Sequence, residues 1–207
     1  MPDNELHNAV QLKVLQEKIA IGDEAAFTQL YLHFGKKLML FAVSIVRSRE
    51  IAEELVEDVF VKLWAIRSRV TDISNITVYL YVAVKNRSLN ALAQKARDLV
   101  SEPFDHLDTS VDEFATDPYK IMITSEMMAR MQQVIETLPP RCKMIFKLVR
   151  EDGLKYKEVA EILNISVNTI DVQMAIAIRK ICQALHIQKP RSTSAPSLTA
   201  SEEKKNF

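Results

Sequence analysis

The side chains of this sequence best suited to selective chemistry fall in one short run, Ser166-Val167-Asn168-Thr169-Ile170-Asp171-Val172. The Asn168 carboxamide can pair two-pronged with an adenine edge, and Val172, one helical turn on, can touch a thymine methyl group. At 3.6 residues per turn, Asn168, Thr169, Val172, Arg179 and Lys180 share the outer side of a helix. Ile170, Met174, Ala177, Ile181 and Leu185 share its inner side. Ser166 is a good N-cap for that helix, from Val167 to about Leu185. Residues 157–163 make a shorter helix before it, and Val159, Ala160 and Leu163 give the inner side something to pack on. Residues 164–165 are the tight turn between them. This is the pattern of a helix-turn-helix: the start of the second helix reads bases in the major groove, and Arg179 and Lys180 hold phosphates. Asp171 near the groove side and Ile176 on the outward side fit that pattern less well. The competing reading is a plain helical hairpin with a polar outer face.

Two further clusters suit other chemistry. The stretch from Asp72 to Asp98 holds no acid between those two residues. Within it, Val78, Val82, Leu89, Ala93 and Ala96 are expected on a buried side, and Arg87, Asn90, Gln94 and Arg97 on the opposite one. Tyr79 and Tyr81 stand at its start. A basic-and-amide face beside aromatic rings can grip phosphates and stack unpaired bases; the alternative is a solvated face over two core tyrosines. The helix expected over Glu50–Arg67 turns Ile51, Leu55, Val59 and Leu63 inward. Its other side carries Glu50, Glu53, Glu54 and Glu57, with Val61 and Trp64 among them. Acids around an exposed indole suit a protein partner, since Trp anchors interfaces. The alternative is that Trp64 packs under a neighbouring helix.

Other chemistries find no purchase. Three scattered glycines, Gly22, Gly35 and Gly153, cannot build a phosphate-cradling loop. Gly-x-Ser-x-Gly and His-Glu-x-x-His are both absent from the sequence. Cys182 and His186 are one turn apart, but two ligands do not make a structural zinc site. No catalytic residue, metal site or cofactor is therefore expected, and the protein is not read as an enzyme. The two cysteines, Cys142 and Cys182, fit a reduced cytoplasmic protein. Without an apolar run of membrane-spanning length or a signal-peptide pattern, membrane insertion is not expected.

The elements that must position these clusters are helical. Apolar residues make up 48% of the chain and glycine is scarce, which argues against a turn-rich β fold. Helices are expected over Glu24–His33, Lys36–Val46, Glu50–Arg67 and Ile76–Arg97, with a loop at Ser68–Asn75. After an interruption they resume over Ile123–Leu138 and Arg141–Arg150, the latter ending at Asp152-Gly153. The formal net charge is zero, but its distribution divides the chain. Residues 1–97 carry +2 and residues 126–187 carry +2, while residues 98–125, containing Pro103 and Pro118, carry −6. The expected architecture is all-α: a helical domain at 1–97, an acidic linker at 98–125, a helix-turn-helix domain at 126–187 and a polar tail at 188–207. The basic footprint is weak for a freestanding DNA binder, so another molecule should supply much of the phosphate contact.

These segments resemble a known family. Ala52-Glu53-Glu54-Leu55-Val56-Glu57-Asp58-Val59-Phe60-Val61-Lys62-Leu63-Trp64 resembles the region 2.2 signature of extracytoplasmic-function sigma factors, within the sigma-70 family. Tyr79-Leu80-Tyr81-Val82-Ala83-Val84-Lys85-Asn86-Arg87 is similar to the family's region 2.3–2.4 helix, and Leu138-Pro139 through Arg141 with Gly153–Leu185 is similar to region 4. The resemblance implies a transcription initiation factor. Glu53, Glu54, Glu57, Asp58, Val61 and Trp64 would dock on the β′ coiled coil of core RNA polymerase. The loop Arg69–Asn75, with Tyr79, Tyr81, Asn86, Arg87, Asn90, Gln94 and Arg97, would recognise and open the −10 element. Ser166, Asn168, Thr169, Val172, Gln173, Arg179 and Lys180 would read the −35 duplex, with region 4 also touching the β flap. An anti-sigma protein is a further implied partner. The family often has Trp where Tyr79 stands and a basic residue where Val82 stands. A stand-alone helix-turn-helix regulator of duplex operators is the main rival reading.

Overall fold

The computed structural model of the chain describes residues 2–101 and 125–184. Among these residues there are eight α-helices and no strand: α1 (Pro2–Ala20), α2 (Glu24–Val46), α3 (Arg49–Ala65), α4 (Ile76–Ser101), α5 (Ser125–Glu136), α6 (Pro140–Arg150), α7 (Tyr156–Leu163) and α8 (Val167–Ala184). One 3-10 turn, Arg67–Asp72, occupies most of the loop expected between α3 and α4. Most of the acidic stretch and the whole of the tail lie outside the described residues, as do Leu185 and His186.

Three expectations are corrected. First, α1 was not foreseen, because its sequence is only weakly amphipathic. Its docking depends on the buried Ile19 and on a polar residue, Gln16, that periodicity counts as surface. Second, the helices expected on either side of Gly35 are one helix, α2. Gly35 stays within the helix, and the Tyr31 ring lies against it, 3.5 Å from where a Cβ would stand. Third, the buried stripe of α4 is not Val78, Val82, Leu89, Ala93 and Ala96. Val78 is buried and Val82 is half-buried, but Leu89, Ala93 and Ala96 are exposed; Leu80, Tyr81, Val84 and Ser88 take the inner side. The shift follows from which neighbours α4 meets: α2 and α3 on one flank and α7 on another.

Helices α1–α4 close around Leu30, Leu38, Leu63, Leu80 and Val84, all at zero exposure. Helices α5–α8 close around Ile145, Ile162 and Ile170, and each such side chain contributes roughly 1.5–3 kcal/mol when fully buried. Caps set the ends. Asp23 accepts from the Ala26 N–H at 3.0 Å to start α2, and Ser48 accepts from the Ile51 N–H at 3.2 Å to start α3. Gly153, at φ +78°, makes the turn out of α6 that a side chain would strain.

Gln16 ties α1 to the segment that leads into α4. Its Nε2 donates to the Val70 carbonyl at 2.7 Å and to the Ile73 carbonyl at 2.9 Å. Gln16→Ala is expected to destabilise the protein by about 1–3 kcal/mol, because it strands buried backbone acceptors. Denaturant unfolding measures this, and a change below about 0.5 kcal/mol would show that the tether carries no stability.

Candidate functional site

Helix α3 presents its acids as expected: Glu50, Glu53, Glu54 and Glu57 are exposed, and Val61 is 67% exposed. Trp64 departs from expectation. Its indole is half-buried, 4.9 Å from the Phe27 ring of α2 (centroid to centroid), with the Arg67 guanidinium 5.1 Å above it. The indole thus meets one aromatic ring and one cation. Asp58 is also engaged: its carboxylate holds Arg87 of α4 at 2.7 Å. That pair joins the acidic face of α3 to the basic face of α4.

On α4, Asn86, Asn90, Gln94 and Arg97 are exposed along one side, and Tyr79 is half-buried. Tyr81 is not a stacking surface. Its ring is fully buried, 5.2 Å from the Phe41 ring, and its hydroxyl donates to Asp152 Oδ2 at 2.7 Å. Burial and the adjacent carboxylate hold that phenol firmly protonated. Burial also raises the Asp152 carboxyl above its ordinary value, opposed by the Tyr81 bond and by Lys37. Arg87 is not a free cation on this face, because Asp58 takes it.

Sequence reasoning foresaw no bond for three residues that make one here, Asn75, Lys85 and Lys37. Asn75 starts α4 with its carbonyl oxygen, accepting from the Val78 N–H at 3.1 Å, while its amide nitrogen donates to Glu158 Oε1 at 2.9 Å. Lys85 Nζ donates to the Ile162 carbonyl at 2.8 Å, and Lys37 Nζ to the Asp152 carbonyl at 3.4 Å. A cap signal before α4 could have found Asn75. Nothing local marks Lys85 or Lys37, whose partners are more than 70 residues away in sequence.

The third surface is the α7–α8 pair. Asn164 turns the chain in left-handed backbone at φ 53°, a conformation Asn tolerates well. The Ile165 N–H then donates to the Ala160 carbonyl at 3.0 Å. Ser166 Oγ accepts from the Thr169 N–H at 3.1 Å and lies 2.8 Å from Thr169 Oγ1, so both hydroxyls are occupied in capping α8. Ile170, Met174 and Ala177 are buried as the spacing requires, while Asn168, Val172, Arg179 and Lys180 are exposed. Gln173 is half-buried, and its carbonyl receives the Cys142 thiol at 3.3 Å. Ile176 does not point outward: it is partly buried against the core. Lys180 also borders an open groove between α5 and α8, lined by Arg130, Gln133 and Thr137.

Among the described residues no group of three or more His, Cys, Asp or Glu could hold a metal ion. None of the helices there is long and apolar enough to cross a membrane.

Comparisons with known proteins bear on these surfaces. The family model Sigma-70 region 2 matches residues 30–102, and Sigma-70, region 4 matches residues 128–181; together they span more than half of the chain. The chain is similar to the ECF RNA polymerase sigma-E factor of Escherichia coli (strain K12), 26% identical over 164 residues, which cover 76% of this chain and 85% of the relative. It is also similar to the RNA polymerase sigma-H factor of Pseudomonas aeruginosa, 24% identical over 178 residues, covering 83% and 92%. Among solved structures, the fold is similar to the sigma factor RpoE bound to the anti-sigma factor NepR from Bartonella quintana. That match has a TM-score of 0.55 at 20% identity and covers 79% of this chain and 98% of that one. CnrH in complex with the cytosolic domain of CnrY gives a TM-score of 0.50 at 20% identity, covering 84% and 96%.

The half-buried indole makes a prediction about stability. Trp64→Ala is expected to lower unfolding free energy by about 1–3 kcal/mol, less than the roughly 3–5 of a fully buried aromatic. Glu57→Lys, at an exposed position, should stay within about 0.5 kcal/mol of the parent. Thermal unfolding of the two variants checks both, and an unchanged Trp64→Ala melt would contradict its packing on Phe27.

Proposed function

The chain belongs to the sigma-70 family, in its extracytoplasmic-function branch, and on that premise we propose how its three surfaces divide the work of a promoter-specific RNA polymerase sigma factor. The acidic face of α3 docks on core polymerase at the β′ coiled coil. The loop before α4 and the outer face of α4 recognise and open the −10 element. Helix α8 reads the −35 duplex, with region 4 also meeting the β flap. The protein acts in the cytoplasm, where polymerase works, and catalysis belongs to the polymerase. The complex of RpoE with the anti-sigma factor NepR supports an anti-sigma protein as a further partner of this chain.

One observation carries the reading most directly. The first turns of α8 expose Asn168 and Val172, whereas Ile170, Met174 and Ala177 anchor the helix on α6 and α7. That leaves a rigid helix with a carboxamide and a methyl pair outward, the pairing that suits A·T edges in a major groove. Ser166 and Thr169, engaged in capping, support that helix more than they offer contacts. The amide row Asn86, Asn90 and Gln94 supports base and phosphate contact along α4, and Arg87 supports it indirectly by fixing α4 to α3.

Transcription by purified core polymerase on a promoter library, with and without the protein, tests the reading. Sequence-specific initiation that depends on the protein is expected. With a net charge of zero, the isolated protein should show negligible specific binding to duplex DNA, because phosphate neutralisation supplies much of DNA affinity. Tight operator binding without polymerase would instead favour a stand-alone regulator.

Asn168→Ala and Val172→Ala are each expected to weaken −35 selection by roughly 1–3 kcal/mol, while Lys180→Ala should weaken binding to all sequences evenly. A library profile unchanged by all three would remove α8 from promoter reading. The Asn86→Ala, Asn90→Ala double variant should form closed complexes but fail to open them, read by permanganate reactivity of unpaired thymines. Normal opening by that variant would count against α4.

A further inference from the structure

The loop between α3 and α4 takes its shape from α1. Gln16 is only 5% exposed, on the inner side of α1 with the buried Ile19. Its Nε2 donates twice, to the Val70 carbonyl at 2.7 Å and to the Ile73 carbonyl at 2.9 Å. The two acceptors bracket Thr71 and Asp72, both of which are exposed. The Val70 carbonyl also accepts the Ile73 N–H at 3.2 Å, so both of its lone pairs are in use. The Val70 side chain is fully buried, and α1 packs directly on this turn. Just past the clamp, Ser74 is exposed and Asn75 caps α4. The solvent-facing side chains of the loop thus ride on backbone fixed at 70, 73 and 75.

The choice of an amide is informative. Apolar burial is non-directional, so Ile19 and Val70 hold the turn close to α1 without orienting its peptide planes. Two hydrogen bonds from one planar amide set both the distance and the direction of those planes. The Arg69–Asp72 pair cannot do this: it is 3.7 Å long, and both side chains stand mostly in water. A loop that captures an unpaired base needs its contacts held to within about 0.5 Å. Gln16 supplies such a constraint from beneath the loop and, buried as it is, does not reach the DNA side.

We propose that Gln16 is a positioning residue for −10 recognition: by clamping the Val70 and Ile73 carbonyls, it fixes the loop in the shape that presents Thr71, Asp72 and Ser74 to an unpaired base. The proposal rests on the reading above that this loop recognises the −10 element. It adds a residue of another helix, more than 50 positions away in sequence, that selects a base without meeting it. The clamp needs two donors on one atom. An isosteric apolar side chain offers none, and the shorter Asn carries the same amide on one methylene fewer.

Gln16→Met keeps the length of the side chain and removes both donors. It is assayed in the full chain with core polymerase, on promoters carrying each of the four bases at every −10 position, at a temperature where circular dichroism shows it folded. Initiation from the preferred base relative to the other three should fall about five- to tenfold at one −10 position. The −35 profile and the affinity for core polymerase should not change. The triple variant Thr71→Ala, Asp72→Ala, Ser74→Ala should flatten the same position, and adding Gln16→Met to it should cost no further selectivity. Gln16→Asn should behave as Gln16→Met does, and it is read in its place if Gln16→Met is unfolded. A uniform loss of initiation that leaves base preference intact would make Gln16 a stability residue and overturn the proposal. So would a loss of selectivity that adds to that of the triple variant. Base preference retained by the triple variant would instead overturn the role given to the loop, whatever Gln16→Met does.

Discussion

A phenol buried as deeply as that of Tyr81 must find an acceptor or leave a polar group stranded, at about 1–3 kcal/mol. Its ring is committed to region 2, against Phe41, while the acceptor it reaches is Asp152, at the turn where α6 gives way to α7. One side chain therefore serves two domains. Its apolar body completes the packing of α2 on α4, and its hydroxyl sets where the α6–α7 turn must lie. Once Asp152 is held there, Gly153 and Leu154 carry the chain to α7. The Glu158 and Ile162 acceptors then fall within reach of Asn75 and Lys85. That hydroxyl joins the two halves together with the bonds of Asn75, Lys85 and Lys37.

That dependence explains what could be read from the sequence and what could not. The helix-turn-helix was legible because its determinants are local. Ser166 caps, Asn164 turns, and Ile170, Met174 and Ala177 repeat at the helical period onto one neighbour. The acidic face of α3 was legible for the same reason. Helix α4 was not, because it is sandwiched. Periodicity locates one buried stripe, whereas α4 meets α2 and α3 on one flank and α7 on another, so its inner side widens to include Tyr81 and excludes Leu89. Trp64 stood at the edge of the α3 pattern, and only the approach of Phe27 from α2 decides how much of it is covered. Helix α1 escaped because its anchor is a buried amide. Gln16 acts through two backbone carbonyls of a loop more than 50 residues away, a contact with no signature in residue type.

The electrostatics divide along similar lines. The chain carries no net charge, and its best-placed cations are already occupied: Arg87 by Asp58, Lys85 by the end of α7, Lys143 and Lys147 by Glu136. What the outer faces keep is amides, Asn86, Asn90 and Asn168, with Arg179 and Lys180 further along α8. Amides read bases but neutralise no phosphate. Faces so provisioned offer hydrogen bonds of the kind that suit base edges and little phosphate neutralisation.

The seam between the two regions combines polar bonds with apolar burial. An interface sealed by apolar side chains gains roughly 25 cal/mol for each Å² removed from water, and a ligand must offset all of that to part it. Bonds between polar groups behave differently. Each is worth a net 0.5–1.5 kcal/mol or so, and in the open state water replaces the partner. Helix α7 shows both kinds of contact on one element. Val159 and Ile162 turn their side chains into the core and are fully buried. Facing region 2, it offers the Glu158 carboxylate and the Ile162 carbonyl. Parting the regions would expose groups that water satisfies, Asn75, Lys85 and Glu158, but also apolar ones, since the buried Phe34, Ile76 and Leu154 line the gap between them. Tyr81 differs from the other polar groups, since its ring is fully buried and its hydroxyl relies on Asp152.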